Sequence, residues 1–167
     1  EKEFRIVQTA WQKTKAADSP EMLTLRSYLA AAIDGAGRHS EAEKMLREVV
    51  AARERTLGAD HPQTLESRQL LALSILSQER YADATKEYQP ILATQERVLG
   101  PGHLKVLQSQ SNLARALAGE KRYPEALELA QKAATTYEKS FGKDHPETIK
   151  TKALAEQIKD AMKKEKK

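Results

Sequence analysis

The sequence predicts an all-α fold, a solenoid of about eight helices stacked as repeated helix-turn-helix units. Three observations predict it. The 167 residues are 31% charged and 40% hydrophobic but only 5% aromatic, a balance of small apolar and charged residues that suits closely packed amphipathic helices. A block of 42 residues recurs three times. Each block contains two stripes at helical spacing, separated by helix-start and helix-stop residues.

The period is read from Leu57-Gly58-Ala59-Asp60-His61-Pro62, Leu99-Gly100-Pro101-Gly102-His103-Leu104 and Phe141-Gly142-Lys143-Asp144-His145-Pro146. It divides the chain into repeats 17–58, 59–100 and 101–142 within a single repeat domain, 1–167. Seven columns are identical in all three: Leu23/Leu65/Leu107, Leu29/Leu71/Leu113, Ala30/Ala72/Ala114, Arg38/Arg80/Arg122, Ala42/Ala84/Ala126, Glu54/Glu96/Glu138 and Gly58/Gly100/Gly142. Ordinary residue frequencies give well under one such column by chance.

The elements follow in order. Residues 1–16 read as the second helix of a preceding partial repeat, with Phe4 and Val7 in the columns of Leu46 and Val49. Ser19 and Pro20 start the first helix of repeat 1, since serine caps a helix and proline lacks only an N–H that would be unpaired there. In repeat 2, Asp60 or His61 caps and Pro62 starts. Leu65, Leu71, Ala72 and Ile75 form the apolar stripe, which stops near Gln78-Glu79-Arg80, where repeats 1 and 3 carry Gly35 or Gly119. The second helix starts near Ala82, carries Ala84, Tyr88, Ile91, Leu92 and Leu99, and ends at Gly100 in a left-handed cap. Pro90 inside it predicts a bend. Repeat 3 has Gly102 and Leu104 where repeat 2 has Asp60 and Pro62, so its first turn is expected to be looser. Residues 143–167 read as a capping helix with a basic tail, because polar Glu156 and Lys159 enter where an outer face has no neighbour.

Composition excludes several functions. Without cysteine there is no disulfide scaffold, thiolate metal site or thiol catalysis. No apolar run approaches the ~20 residues of a membrane span, and no signal-peptide pattern is present. The net charge is +4, but Lys159 to Lys167 hold five lysines against Asp160 and Glu165, so the body is near neutral and carries no broad nucleic-acid footprint. The tail lysines Lys163, Lys164, Lys166 and Lys167 form a solvated, frayed end that can attract an acidic surface at short range. His61, His103 and His145 recur one repeat apart, which places them in equivalent caps and linkers rather than in one metal or acid–base cluster. No catalytic residue, cofactor or metal ligand is expected, and an enzyme is not. Trp11 shares a column with Arg53, Gln95 and Tyr137, where it either covers the N-terminal end or packs on a partner.

Asn112-Leu113-Ala114, Arg122-Tyr123 and Glu125-Ala126 resemble a tetratricopeptide repeat. The common form has about 34 residues. The longer second helix and the linker Gly142 to Ile149 are similar to the repeats of kinesin light chains, over about residues 17–150. The resemblance implies a right-handed α-solenoid and a protein-binding adaptor whose concave face is lined by each first helix. Carried over by column, that face comprises Thr24, Ser27, Tyr28, Ala31 and Asp34, then Glu66, Gln69, Leu70, Leu73 and Leu76, then Gln108, Ser111, Asn112, Arg115 and Ala118, with Lys150 and Gln157 extending the row. Asn112 matches the family position whose amide bonds a ligand main chain, while Tyr28 and Leu70 depart from it. Ser27, Ala31, Gln69 and Leu73 leave no Lys/Asn/Arg clamp for a terminal carboxylate. Leu70 and Leu73 point away from the core side of their helix and are either covered by neighbouring helices or exposed as an apolar patch.

The small size and basic tail resemble the bacterial kinesin-light-chain homologues that accompany bacterial tubulins, which implies a cytoplasmic protein associating with tubulin-like filaments. Because the chain begins at Glu1 in mid-repeat, a regulatory or sensor segment of a larger signalling enzyme is the competing reading. Self-association through open solenoid ends is the third.

Overall fold

A computed structural model of the chain describes residues 18–165. Seven α-helices and no strand occur among the described residues, namely α1 Pro20–Gly35, α2 His39–Leu57, α3 Pro62–Ser77, α4 Tyr81–Leu99, α5 Leu104–Gly119, α6 Tyr123–Phe141 and α7 Pro146–Glu165. The eighth helix expected over 1–16, with Phe4, Val7 and Trp11, lies outside the described residues. The helices fall into two compact units, one running to Gln78 and one from Glu79.

Side-chain caps start the first helices. Ser19 Oγ accepts the Met22 N–H at 3.2 Å before α1. His61, His103 and His145 each accept through Nδ1 the N–H two residues on, at 3.2, 3.2 and 3.3 Å. The recurrent histidines therefore satisfy helix-start donors that would otherwise be unpaired. The looser first turn expected in the third repeat does not occur. His103 caps Lys105 as His61 caps Gln63, and the Leu107 N–H reaches the His103 carbonyl at 3.1 Å. The cap depends on the histidine, which that repeat keeps, rather than on the proline it lost.

The turns between first and second helices correct a detail. Gly35 and Gly119 are the last residues of α1 and α5, not the turn itself. The left-handed position is two residues later, where φ is 80° at Gly37, 59° at Glu79 and 63° at Lys121. In two of these turns the following N–H returns to the helix, Arg38 to the Ile33 carbonyl at 3.1 Å and Arg122 to Leu117 at 2.9 Å, a Schellman closure. Glu79 and Lys121 carry a Cβ where glycine would be unstrained. Glu79→Gly and Lys121→Gly are each expected to stabilise the chain by about 0.5–1 kcal/mol in urea unfolding. Gly58, Gly100 and Gly142 also have positive φ, but ψ lies between 154° and 162°, an extended region open essentially to glycine and not the left-handed helical cap the sequence suggested.

Packing explains the identical columns. In the first unit Leu23 meets Val49 and Ala52, and Leu29 and Ile33 meet Ala42 with Met45 beside them. The alanines of both identical columns are fully buried, which suits helices that approach closely. Arg38, Arg80 and Arg122 stand just before a second helix and donate through Nε to a first-turn acid: Glu41 at 2.9 Å, Asp83 at 3.0 Å and Glu125 at 2.8 Å. Glu125 holds the exposed Arg122 guanidinium above its ordinary value, and Arg122 holds Glu125 below its own. Glu54, Glu96 and Glu138 each face the residue fourteen positions on: Arg68 at 4.0 Å, Gln110 at 2.9 Å and Lys152 at 2.8 Å. This glutamate column therefore joins each second helix to the first helix that follows it. Pro90 is exposed in α4, which runs unbroken from Tyr81 to Leu99.

Candidate functional site

The first unit places its share of the expected row on α1 and α3. Tyr28 is 61% exposed, the largest exposure of any large apolar side chain among the described residues. Gln69, Leu70 and Leu73 are half-buried, so neither leucine is a core residue or a free-standing patch. Two members of the carried-over face are corrected. Ser27 is buried with its hydroxyl turned back to the Leu23 carbonyl at 2.9 Å, and Leu76 is buried in the core. Both lie toward the packed side of their helices, where neighbours close over them.

Beneath this face lies a group whose role the sequence did not reveal. Arg53 on α2 is 2% exposed. It donates to Thr24 Oγ1 on α1 at 2.9 Å, and to the Gln63 carbonyl at 2.8 Å and Ser67 Oγ at 2.6 Å on α3. Burial lowers its pKa from the ordinary arginine value, with Glu66 and Tyr28 acting in the opposite direction. Its Nε–H has no partner. The only signal in the sequence was one charge in a column otherwise holding Trp11, Gln95 and Tyr137. Thr24 and Gln63 also line a groove of 460 Å³ with Pro20, Glu21, Leu25 and Tyr28.

The second unit carries the rest of the row on α5 and α7. Gln108, Ser111 and Asn112 are half-buried, and Arg115 and Lys150 are exposed. Ser111 Oγ bonds the Leu107 carbonyl at 2.9 Å and lies 3.3 Å from Thr151 Oγ1. Arg115 donates to Asn112 Oδ1 at 3.4 Å, and that oxygen keeps a second acceptor site. Lys150 Nζ is 2.7 Å from Glu147 Oε1. In the same unit the Arg53 column continues as Gln95, which accepts from Ser109 Oγ at 2.7 Å, and as Tyr137, whose hydroxyl burial pushes up to about 12.

The described part of the tail is not frayed. α7 stays helical to Glu165; Lys163 pairs with Asp160 at 3.1 Å, and Glu165 pairs with Lys121 at 3.3 Å. Lysines three residues after an acid, together with cations in the last turn of a helix, favour that continuation. Lys163 and Lys164 are exposed, and Lys166 and Lys167 lie outside the described residues. Among the described residues no cluster of His, Asp and Glu is placed to hold a metal ion, and no helix is long and apolar enough to cross a membrane.

Comparison with known proteins places this architecture. Two tetratricopeptide repeat models match, one over residues 22–63 and one over 69–139 and 108–166. No curated protein matches the chain in sequence. Among solved structures, a Podospora anserina protein designated a kinesin light chain with nearly identical TPR-like repeats superposes with a TM-score of 0.80 at 27% identity, over 96% of this chain and 76% of that one. A single-residue variant of it gives 0.82 over the same shares. BtubC (BKLC) from P. vanneervenii gives 0.73 at 17% identity, over 96% of this chain and 72% of that one, and shares the fold. The α-solenoid, the 42-residue period and these matches agree that the chain belongs to the tetratricopeptide repeat family, and its repeats are similar to those of the kinesin-light-chain proteins among these structures.

Proposed function

We propose that the chain is a non-enzymatic protein-interaction module that engages a protein partner through the exposed faces of its first helices, and that it works in the cytoplasm on tubulin-like filaments. The observation that carries the interaction reading is Tyr28, 61% exposed on a first helix whose other large apolar side chains are buried or half-buried. Gln69 supplies a polar group on the first unit, and Gln108, Ser111, Asn112, Arg115 and Lys150 supply polar groups on the second. The filament reading is supported by the kinesin-light-chain-like fold and by a charge concentrated at one end. The exposed Lys163 and Lys164, continued in sequence by Lys166 and Lys167, suit an acidic filament surface at short range. Fold alone does not set the partner.

Co-pelleting with polymerised bacterial tubulin tests the filament reading. The full chain is expected to pellet with filaments, and removal of residues 159–167 should reduce the pelleted fraction several-fold at low salt. Raising the salt to about 0.3 M should reduce full-chain pelleting in the same way, because screening shortens the reach of exposed charge. A full chain that stays in the supernatant at every salt concentration removes the filament as partner and leaves the interaction module standing.

A further inference from the structure

The first two turns of α1 present Glu21, Thr24, Leu25 and Tyr28 at helical spacing, so all four lie on one face. With Pro20 and, from α3, Gln63, they line an open groove of 460 Å³. Among the described residues of that lining, Glu21 is the one that carries charge. It is exposed, and it pairs with no other described residue. Tyr28 offers an open aromatic ring, while Pro20 and the half-buried Leu25 offer apolar wall.

We infer that this groove receives a cationic side chain, arginine or lysine, from a protein partner. The inference rests on the reading that the exposed face of α1 binds protein, and it names the chemistry of the contact. The aliphatic stem lies along Pro20 and Leu25, as long basic side chains do on apolar surface. The charged head meets the Glu21 carboxylate and the electron-rich face of Tyr28, an arrangement that arginine suits especially through its planar guanidinium.

The nearby positive charge does not reverse this. Arg53 is sunk under the groove floor, and its bonds run to Thr24, Ser67 and the Gln63 carbonyl. An incoming carboxylate would meet Glu21 in the open before approaching a guanidinium sealed beneath its acceptors. Glu66 on α3, also exposed, acts electrostatically on Arg53 and adds a second negative charge to this unit. Residues 18–78 carry seven Lys and Arg against nine Asp and Glu, so the wider field of this unit also favours a cation.

The test uses the full chain and three fluorescein-labelled nonapeptides of one glycine–serine frame, carrying arginine, its neutral isostere citrulline, or glutamate at the same positions. Binding is read by anisotropy and mapped by amide chemical shifts. The arginine peptide is expected to bind at least tenfold tighter than the other two and to move the signals of Thr24, Leu25 and Tyr28. Glu21→Gln should weaken it about tenfold and Tyr28→Ala several-fold. Both positions are exposed, and an unchanged Tm confirms that each variant is folded. The inference is overturned if the glutamate peptide binds as well, if Glu21→Gln leaves affinity unchanged, or if no peptide binds up to millimolar concentration. It is also overturned if the shifts map to Leu73 or Asn112 instead, a result that would retain the interaction module. Filament co-pelleting is independent of all these outcomes, so the two readings fail separately.

Discussion

Arg53→Ala is expected to destabilise the protein by about 3–5 kcal/mol, read as a lower urea midpoint at unchanged slope. Arg53 is the largest fully buried side chain among the described residues, and it joins three helices through Thr24, Gln63 and Ser67. Alanine removes those bonds and leaves a void in a packed interior. The loss should not come from stranded acceptors. Thr24 also donates to the Pro20 carbonyl at 2.8 Å and Ser67 to the Gln63 carbonyl at 3.2 Å, so both hydroxyls keep a partner. Arg53→Gln should cost under about 1.5 kcal/mol, because Gln95 already fills the same column and accepts from Ser109, the counterpart of Ser67. Arg53→Met should be close to neutral, since it removes a buried charge that has no hydrogen-bonded carboxylate while filling most of the volume. A loss below about 1 kcal/mol for Arg53→Ala would show that the three-helix bridge contributes little.

The second large effect compares two positions of one column. Leu107→Ala is expected to cost about 2–5 kcal/mol, and Ile149→Ala less than about 0.5 kcal/mol, in the same unfolding assay. They stand 42 residues apart at equivalent positions of α5 and α7. Leu107 is fully buried, whereas Ile149 is 56% exposed. The α5–α6 pairing encloses the first, and no described helix follows α7 to cover the second. Along the same face Glu156 replaces the identical alanine column and pairs with Lys159 at 3.4 Å, both exposed. Equal losses at the two positions would mean that something covers Ile149.

Much of the fold was legible in the residues because the information is local and repeated. A helix start needs a capping side chain within a turn, and Ser19, His61, His103 and His145 supply it. Gly58, Gly100 and Gly142 mark backbone that a Cβ would strain. Leucine and alanine at helical spacing mark the buried stripe. The same logic found the turn of the second repeat near Gln78-Glu79-Arg80 but took Gly35 and Gly119, the last helical residues, as its mark in the other two. The left-handed residue is Glu79 or Lys121 in two of the three repeats, and a residue forced there by chain closure leaves no compositional trace. Gly119 has another reason to be small, since a Cβ there would stand 2.3 Å from the Tyr81 ring.

The sequence by itself determined the period, the helix punctuation and the membership of a repeat family, because each depends on residues within a turn or two of one another. The tertiary structure decided exposure and pairing. It buried Ser27 and Leu76, left Leu70 and Leu73 half-covered and opened Tyr28, although all had been assigned to one face. It also showed why the glutamate column recurs, each member meeting a different residue fourteen positions on. Above all it turned Arg53 inward as a bridge between α1, α2 and α3 under the groove of Glu21 and Tyr28. A column records which residue occurs at a helical position. How much of that residue is left to meet a partner depends on helices distant in sequence that close over it.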